Sequence, residues 1–341
     1  MNTTMVSRPT TRPDLRRSFR SMASPVELWV VDPGPDADAA LDRAQERIVA
    51  AARHLTRFDA SSALMAANRH PDALHAAPAD LVEAVAEAHR AHVETGGLFD
   101  PRVHDTLVAW GYDTTFASVV GPAAAADPAA LPVLAPAGAA DPATRPAAPL
   151  AARPWRPTTL PGMVHPGGAR LDLGGIGKGL AVRWAAAELA GAGAAALVDA
   201  GGDEWLGGPG PDGDGWKVGV EDPHAAREDD GPVLVLALTD RAVATSSVRR
   251  RRWHDPAGTV VHHLVDPRTG RPGGAGLASV TVVHDDPAWA EVWSKTLFLR
   301  GPLEVAAQAE VRGLAAAWVD EDGGIGTSSA MDPYVLWRAT R

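Results

Sequence analysis

Apolar residues change their spacing several times along this 341-residue chain, and each change predicts an element. The run "VELWVVD" over 26–32, rich in valine and tryptophan, predicts a strand. Over 39–55, Leu41, Ala44, Ile48, Ala51 and Leu55 recur on one face of a 3.6-residue period and predict a helix. A second helix is predicted over 80–94, with Asp80 as its cap. A third follows over 180–189, and then a strand over 195–198 and the turn "DAGGDE". Strands are predicted at "WKVGVED", "PVLVLALTD" and "ASVTVVHDD". A helix over 288–299, a strand at "LAAAWVDEDG" and a closing strand at "YVLWRAT" complete the series. Strands and helices mix without strict βαβ repetition, so the expected class is α+β. Residues 1–20 are polar and basic and are expected to form a disordered arm, with a single domain over 21–341. Between 117 and 161 alanine and proline dominate, which predicts an excursion from regular structure.

Composition narrows the chemistry. Hydrophobic residues make up 45% and charged residues 22%, enough apolar content for a substantial core. The net charge of −10 argues against a general nucleic-acid binder. The chain has no cysteine, which excludes disulfides, thiolate metal sites, a thiol nucleophile and a lipid anchor on cysteine. The first residues lack the apolar run of a secretory signal, and no stretch approaches a membrane span; the expected location is the cytoplasm.

Three stretches carry candidate chemistry. "LDLGGIGKGLAV" places glycines and Lys178 before a helix, an arrangement that offers backbone N–H groups and positive charge to a phosphate. It is not a P-loop, because Asp172 and Gly179 stand where glycine and Ser or Thr are needed. It is not the dinucleotide fingerprint either, since Gly175, Gly177 and Gly179 have the wrong spacing. A plain strand-to-helix turn remains an alternative. "VVHHLVDPRTGRP" puts His262 and His263 on opposite faces of a strand end, so one can face a site while the other faces solvent. "AVATSSVRRRRW" follows small hydroxyl residues with Arg249 to Arg252, either a phosphate or acidic-partner grip or a solvated charge run.

Taken in order, the motifs resemble the ApbE family of FAD:protein FMN transferases, over about Met22 to Trp318. "MASPVELWVVD", "RFDASSALMAANRH", "GLFDPRVHDTLVAWGYD", "LDLGGIGKGLAV", "LVDAGGDEWLGG" and "HLVDPRTGRP" each resemble a family motif. The resemblance implies a two-lobed α+β fold with mixed sheets and FAD between the lobes. It also implies transfer of FMN from FAD to a Ser or Thr of an acceptor protein, with release of AMP. His263 would act on the acceptor hydroxyl. Met22, Phe58, Trp110, Gly111, Tyr112, Asp172 and Lys178 would contact the cofactor. The Gly175 carbonyl, Glu291 and Lys295 match the family's magnesium positions, with Lys295 where a threonine is expected. In one reading Lys295 replaces the ion and pairs with Glu291. In another, Thr296 takes the position and Lys295 points outward; in a third, the two form a surface pair with no catalytic role. Smaller departures, Ser247 for a glycine and Ala63 for an acid, together with the arginine run, fall on the acceptor side. The implied partners are FAD and the acceptor protein, with neither nucleic acid nor membrane. A FAD pyrophosphatase and a non-catalytic FAD-binding protein are the alternatives.

Overall fold

A computed structural model describes residues 13–134, 150, 153–225 and 231–340. Its centre is an eight-stranded antiparallel sheet whose spatial order is also its chain order. The strands are Leu15–Ser21, Ser24–Pro33, Gly193–Ala200, Glu204–Gly207, Arg241–Ser247, Leu277–His284, Ala315–Asp320 and Ile325–Thr327. Helices Ala37–Leu55, Gly177–Leu189 and Pro287–Arg300 stack against one face. A small sheet of Trp216–Glu221, Pro232–Leu238 and Val335–Arg338 covers the other.

Two apolar layers result. Leu28, Ile48, Leu180, Val182, Leu297 and Phe298 belong to the layer under the helices. Trp216, Leu234, Leu236, Val243 and Val283 fill the space between the two sheets. Strand Leu277–His284 is buried at every residue but His284, because it has cover on both faces; apolar residues stand on both faces, and the buried Thr281 hydroxyl is satisfied by Thr245. The helix expected over 39–55 is Ala37–Leu55, and all five of its predicted core residues are buried. The α+β expectation holds, with several separate sheets.

The start of the expected disordered arm is different. Residues 1–12 lie outside the described residues, but Leu15–Ser21 is a strand paired with Ser24–Pro33. The charges that suggested an arm conceal a period of two. Leu15, Arg17 and Phe19 face inward, and Arg17 is neutralised by Asp38 and Asp42 on the first helix. Asp80 does not cap its helix, which begins at Ala79 after Pro78. Its carboxylate instead holds His54 at 2.9 Å and faces Arg47 at 3.7 Å. Within the 117–161 excursion, the described residues include short helices Phe116–Val120 and Pro122–Ala126 and the strand Thr158–Leu160. Phe116 and Leu131 pack with Tyr112, Trp253 and Val261 in a small separate cluster. Among the described residues no helix is long and apolar enough to cross a membrane.

Candidate active site

The glycine stretch forms the floor of the site. Asn68 clamps its entry, accepting from the Leu171 N–H at 2.9 Å and donating to the Leu171 carbonyl at 2.8 Å. Asp172 then fixes the turn by accepting the Gly174 N–H at 2.6 Å. Gly179 has a packing role: a Cβ there would lie 2.5 Å from the Pro287 carbonyl oxygen and 2.6 Å from the Ala288 Cα. The helix that starts at Gly177 can therefore cross the helix Pro287–Arg300 at backbone contact.

Above this floor lies a cavity of about 360 Å³. The hairpin turn at Met22 and Ala23, the end of the first helix, the 98–116 segment and the 251–265 segment form its walls. Met22 and Ala23 both have positive φ, 50° and 60°, which makes the turn tight enough for the strands to pair directly from Ser21 to Ser24. Phe58 and Tyr112 stack with ring centres 5.5 Å apart, and the Arg57 guanidinium lies over both, 4.2 and 4.5 Å from their centres. Arg57 also reaches Asp172, Nε to Oδ2 at 2.6 Å, and donates to the Tyr112 carbonyl.

Charge on the walls is unbalanced. Arg57, Lys178, Arg251 and Lys295 line the cavity, against Asp100 and Asp172. Asp100 is itself held by Arg102 at 2.6 Å. Lys178 pairs with the buried Asp203, set behind the wall. An apolar, aromatic cavity with a basic floor suits a large anionic ligand.

His263 meets the cavity wall, and its Nδ1 is buried without a hydrogen-bond partner among the described residues. Burial, then the positive charges of Arg251 and Lys295, then His262, hold its pKa well below the ordinary histidine value. The ring is thus neutral at pH 7 and can accept a proton. His262 does point the other way, but into the core rather than to solvent. It is buried against Phe298, its Nδ1 accepts from Leu264 N–H at 3.2 Å, and burial pushes its pKa down to about 4.

Of the residues singled out from sequence, Met22, Phe58, Tyr112, Asp172, Gly175, Lys178, His263 and Lys295 come together on this one cavity. Trp110 and Gly111 do not line it. The Trp110 carbonyl accepts from Trp253 Nε1 at 2.7 Å, and Gly111, at φ 83°, makes the bend that delivers Tyr112. Glu291 lies beneath the floor, where one carboxylate oxygen accepts the Gly179 N–H at 2.9 Å. Lys295 turns toward the cavity and not outward, which removes the reading with an outward lysine. Thr296 also touches the cavity, but its hydroxyl donates to the Val292 carbonyl at 2.8 Å. The pair is not on the surface either, since Glu291 and Lys295 are only 3% and 19% exposed. The arginine run is split: Arg249 turns inward and shares Glu221 with Arg250, while Arg251 faces the cavity. Arg57 and Asp203 were missed by sequence reasoning. Arg57 stands next to Phe58 in the quoted motif, but nothing in its spacing shows that it spans to Asp172, 115 positions on.

The chain is 30% identical over 237 residues to a FAD:protein FMN transferase of Rhodobacter capsulatus, covering 67% of this chain and 40% of that one. It is 31% identical over 175 residues to one of Treponema pallidum, covering 48% and 47%. The chain spans less than half the length of these relatives. The crystal structure of the ApbE protein of Thermotoga maritima superposes with a TM-score of 0.72 at 22% identity, over 94% of this chain and 99% of that one, a likeness of fold. The model of the ApbE family matches residues 22–318, and with that match over most of its length the chain belongs to the ApbE family.

Proposed function

We propose that this protein is a FAD:protein FMN transferase. The observation that carries the reading is one cavity in which aromatic walls, an excess of basic side chains around a glycine turn and a neutral histidine meet. FAD has the matching parts: a flat isoalloxazine, a pyrophosphate and an adenine. Phe58 and Tyr112 supply ring surface, and Met22 lines the same cavity. Arg57, Lys178 and Arg251 face the pyrophosphate, and Asp172 keeps Arg57 in place.

The reaction follows from these parts. The hydroxyl oxygen of an acceptor Ser or Thr attacks the FMN phosphorus. The phosphorus–oxygen bond to the bridging oxygen breaks, and AMP leaves with that electron pair. The hydroxyl proton passes to the imidazole of His263. Negative charge gathers on the bridging oxygen, where the basic floor offsets it. The residues at the family's magnesium positions do not fit a divalent ion: Lys295 offers no lone pair, and Glu291 is already engaged by a main-chain N–H. No step is therefore assigned to a metal.

Membership of the family favours transfer over hydrolysis or passive binding. The test is AMP release from FAD by the purified protein, with and without a Ser/Thr acceptor protein. AMP that appears only with acceptor, together with flavin fixed to the acceptor in denaturing gels, is the expected result. AMP released equally without acceptor would establish a pyrophosphatase instead.

A further inference from the structure

The side chain of Lys295 occupies a place that the reading above leaves unexplained. Its Cε and Cδ lie 3.2 and 3.4 Å from the point where a side chain on Gly175 would begin. It therefore runs along the glycine turn, directly against the backbone that the ApbE resemblance assigns to a magnesium ligand. Its Nζ stands 3.6 Å from Glu291 Oε1, one helical turn away. The other Glu291 oxygen takes the Gly179 N–H. Both oxygens of the only acid at these positions thus face a positive or donor group. A magnesium ion at these positions would need side-chain oxygens beside its waters and the substrate phosphates, and Lys295 has none to give. An ammonium at this point would also repel a dication across a few ångströms of low-dielectric interior.

Lys178 and Arg57 face the pyrophosphate with part of their charge offset by Asp203 and Asp172, and Arg251 lies beside His263, so a cation at Gly175 is still needed. The contact of Lys295 with Glu291 is longer than a hydrogen bond, so its donors stay available on the cavity side.

We propose that Lys295 is the resident cation of this site: its ammonium stands in for the divalent ion, and the protein binds FAD and releases AMP without Mg²⁺. The inference rests on the flavin-transfer reading. Bond changes are those given above, with Lys295 facing the bridging oxygen as it leaves with AMP. Glu291 is a positioning residue that holds the ammonium toward Gly175 from below.

The test uses the full-length protein and two readouts. The first is FAD affinity by flavin fluorescence, in EDTA and in Mg²⁺. The second is Mn²⁺ stoichiometry by electron paramagnetic resonance, with and without FAD. The wild type is expected to bind FAD equally in both buffers and to hold no stoichiometric Mn²⁺. Lys295→Met should lose affinity by about tenfold or more in both buffers, and Lys295→Arg should keep most of it. Thermal melts confirm that each variant is folded. FAD binding by the wild type that depends on Mg²⁺, or one Mn²⁺ bound per chain, would overturn the inference and leave the flavin reading standing. So would Lys295→Met that binds FAD as tightly as wild type. A folded wild type that takes no FAD in either buffer would sink the flavin reading, and this inference with it.

Discussion

His263 and Glu204 show how burial sets chemistry at single residues. For His263, burial and two neighbouring cations favour the neutral ring, so the base remains usable below the ordinary histidine range. AMP release in the presence of acceptor should stay flat from neutral pH through about 6.5, the value of an unperturbed histidine, and fall only in more acidic buffer. His263→Ala should reduce the transfer rate by roughly 10²–10⁴-fold while FAD still binds. A pH profile centred on the ordinary histidine value would contradict the assigned environment. Glu204 lies directly opposite Asp199 across two paired strands and next to Asp203. Burial first, and then these two carboxylates, push its pKa up to about 8. Because the folded pKa is raised, the folded state holds a proton that the unfolded chain releases near 4.5. Stability therefore falls as pH rises from about 4.5 through about 8. Glu204 keeps a partly exposed edge, so the loss is on the order of 2 kcal/mol. Glu204→Gln, which resembles the protonated form, should match the wild type near pH 5 and exceed it above pH 8 by about that amount in urea titrations.

At the scale of elements, the site depends on how closely two helices approach. Gly179 lets the helix Gly177–Leu189 touch the backbone of Pro287 and Ala288, and that contact brings Glu291 under the glycine turn. Gly179→Ala would meet main chain, which cannot move aside as a flexible side chain can. The expected cost is about 2 kcal/mol of unfolding free energy, read from the denaturation midpoint, with a parallel loss of FAD affinity. The partner helix is anchored by Asp286, which accepts from the N–H groups of Ala288 and Trp289 at 2.9 and 3.2 Å. Element boundaries were legible in sequence where one periodicity dominated, as in Ala37–Leu55. They were obscured where charges lay on the inward face, as with Arg17 in Leu15–Ser21. Asp80 misled as a cap because its partners, His54 and Arg47, belong to another helix.

At the scale of the whole molecule, the cavity draws on segments from Met22 to Leu299. Few of its walls exist until the main sheet has formed and the helices have stacked on it. A ligand that spans these segments binds the folded state alone. FAD should therefore raise the melting temperature with its concentration, by about 2.7 kcal/mol of added stability at a hundredfold excess over Kd. A melting temperature unchanged by FAD would mean that the cavity is not its site.

The residues by themselves determined the class of elements, the glycine turn and the ordered motifs, because periodicity, turn chemistry and motif order are local properties of a chain. From these the family resemblance followed, and with it several residues that line the cavity, Met22, Phe58, Tyr112, Lys178 and His263 among them. Contacts between distant segments are not local, and only the tertiary structure decided them. Trp110 and Gly111 left the cavity wall because a bend hands that place to Tyr112. Arg57 entered it because Asp172 lies within its reach in space. The direction of Lys295 was open in sequence, since one residue of helix turns a side chain by about 100°. Packing against Gly175 and Glu291 fixed it toward the cavity.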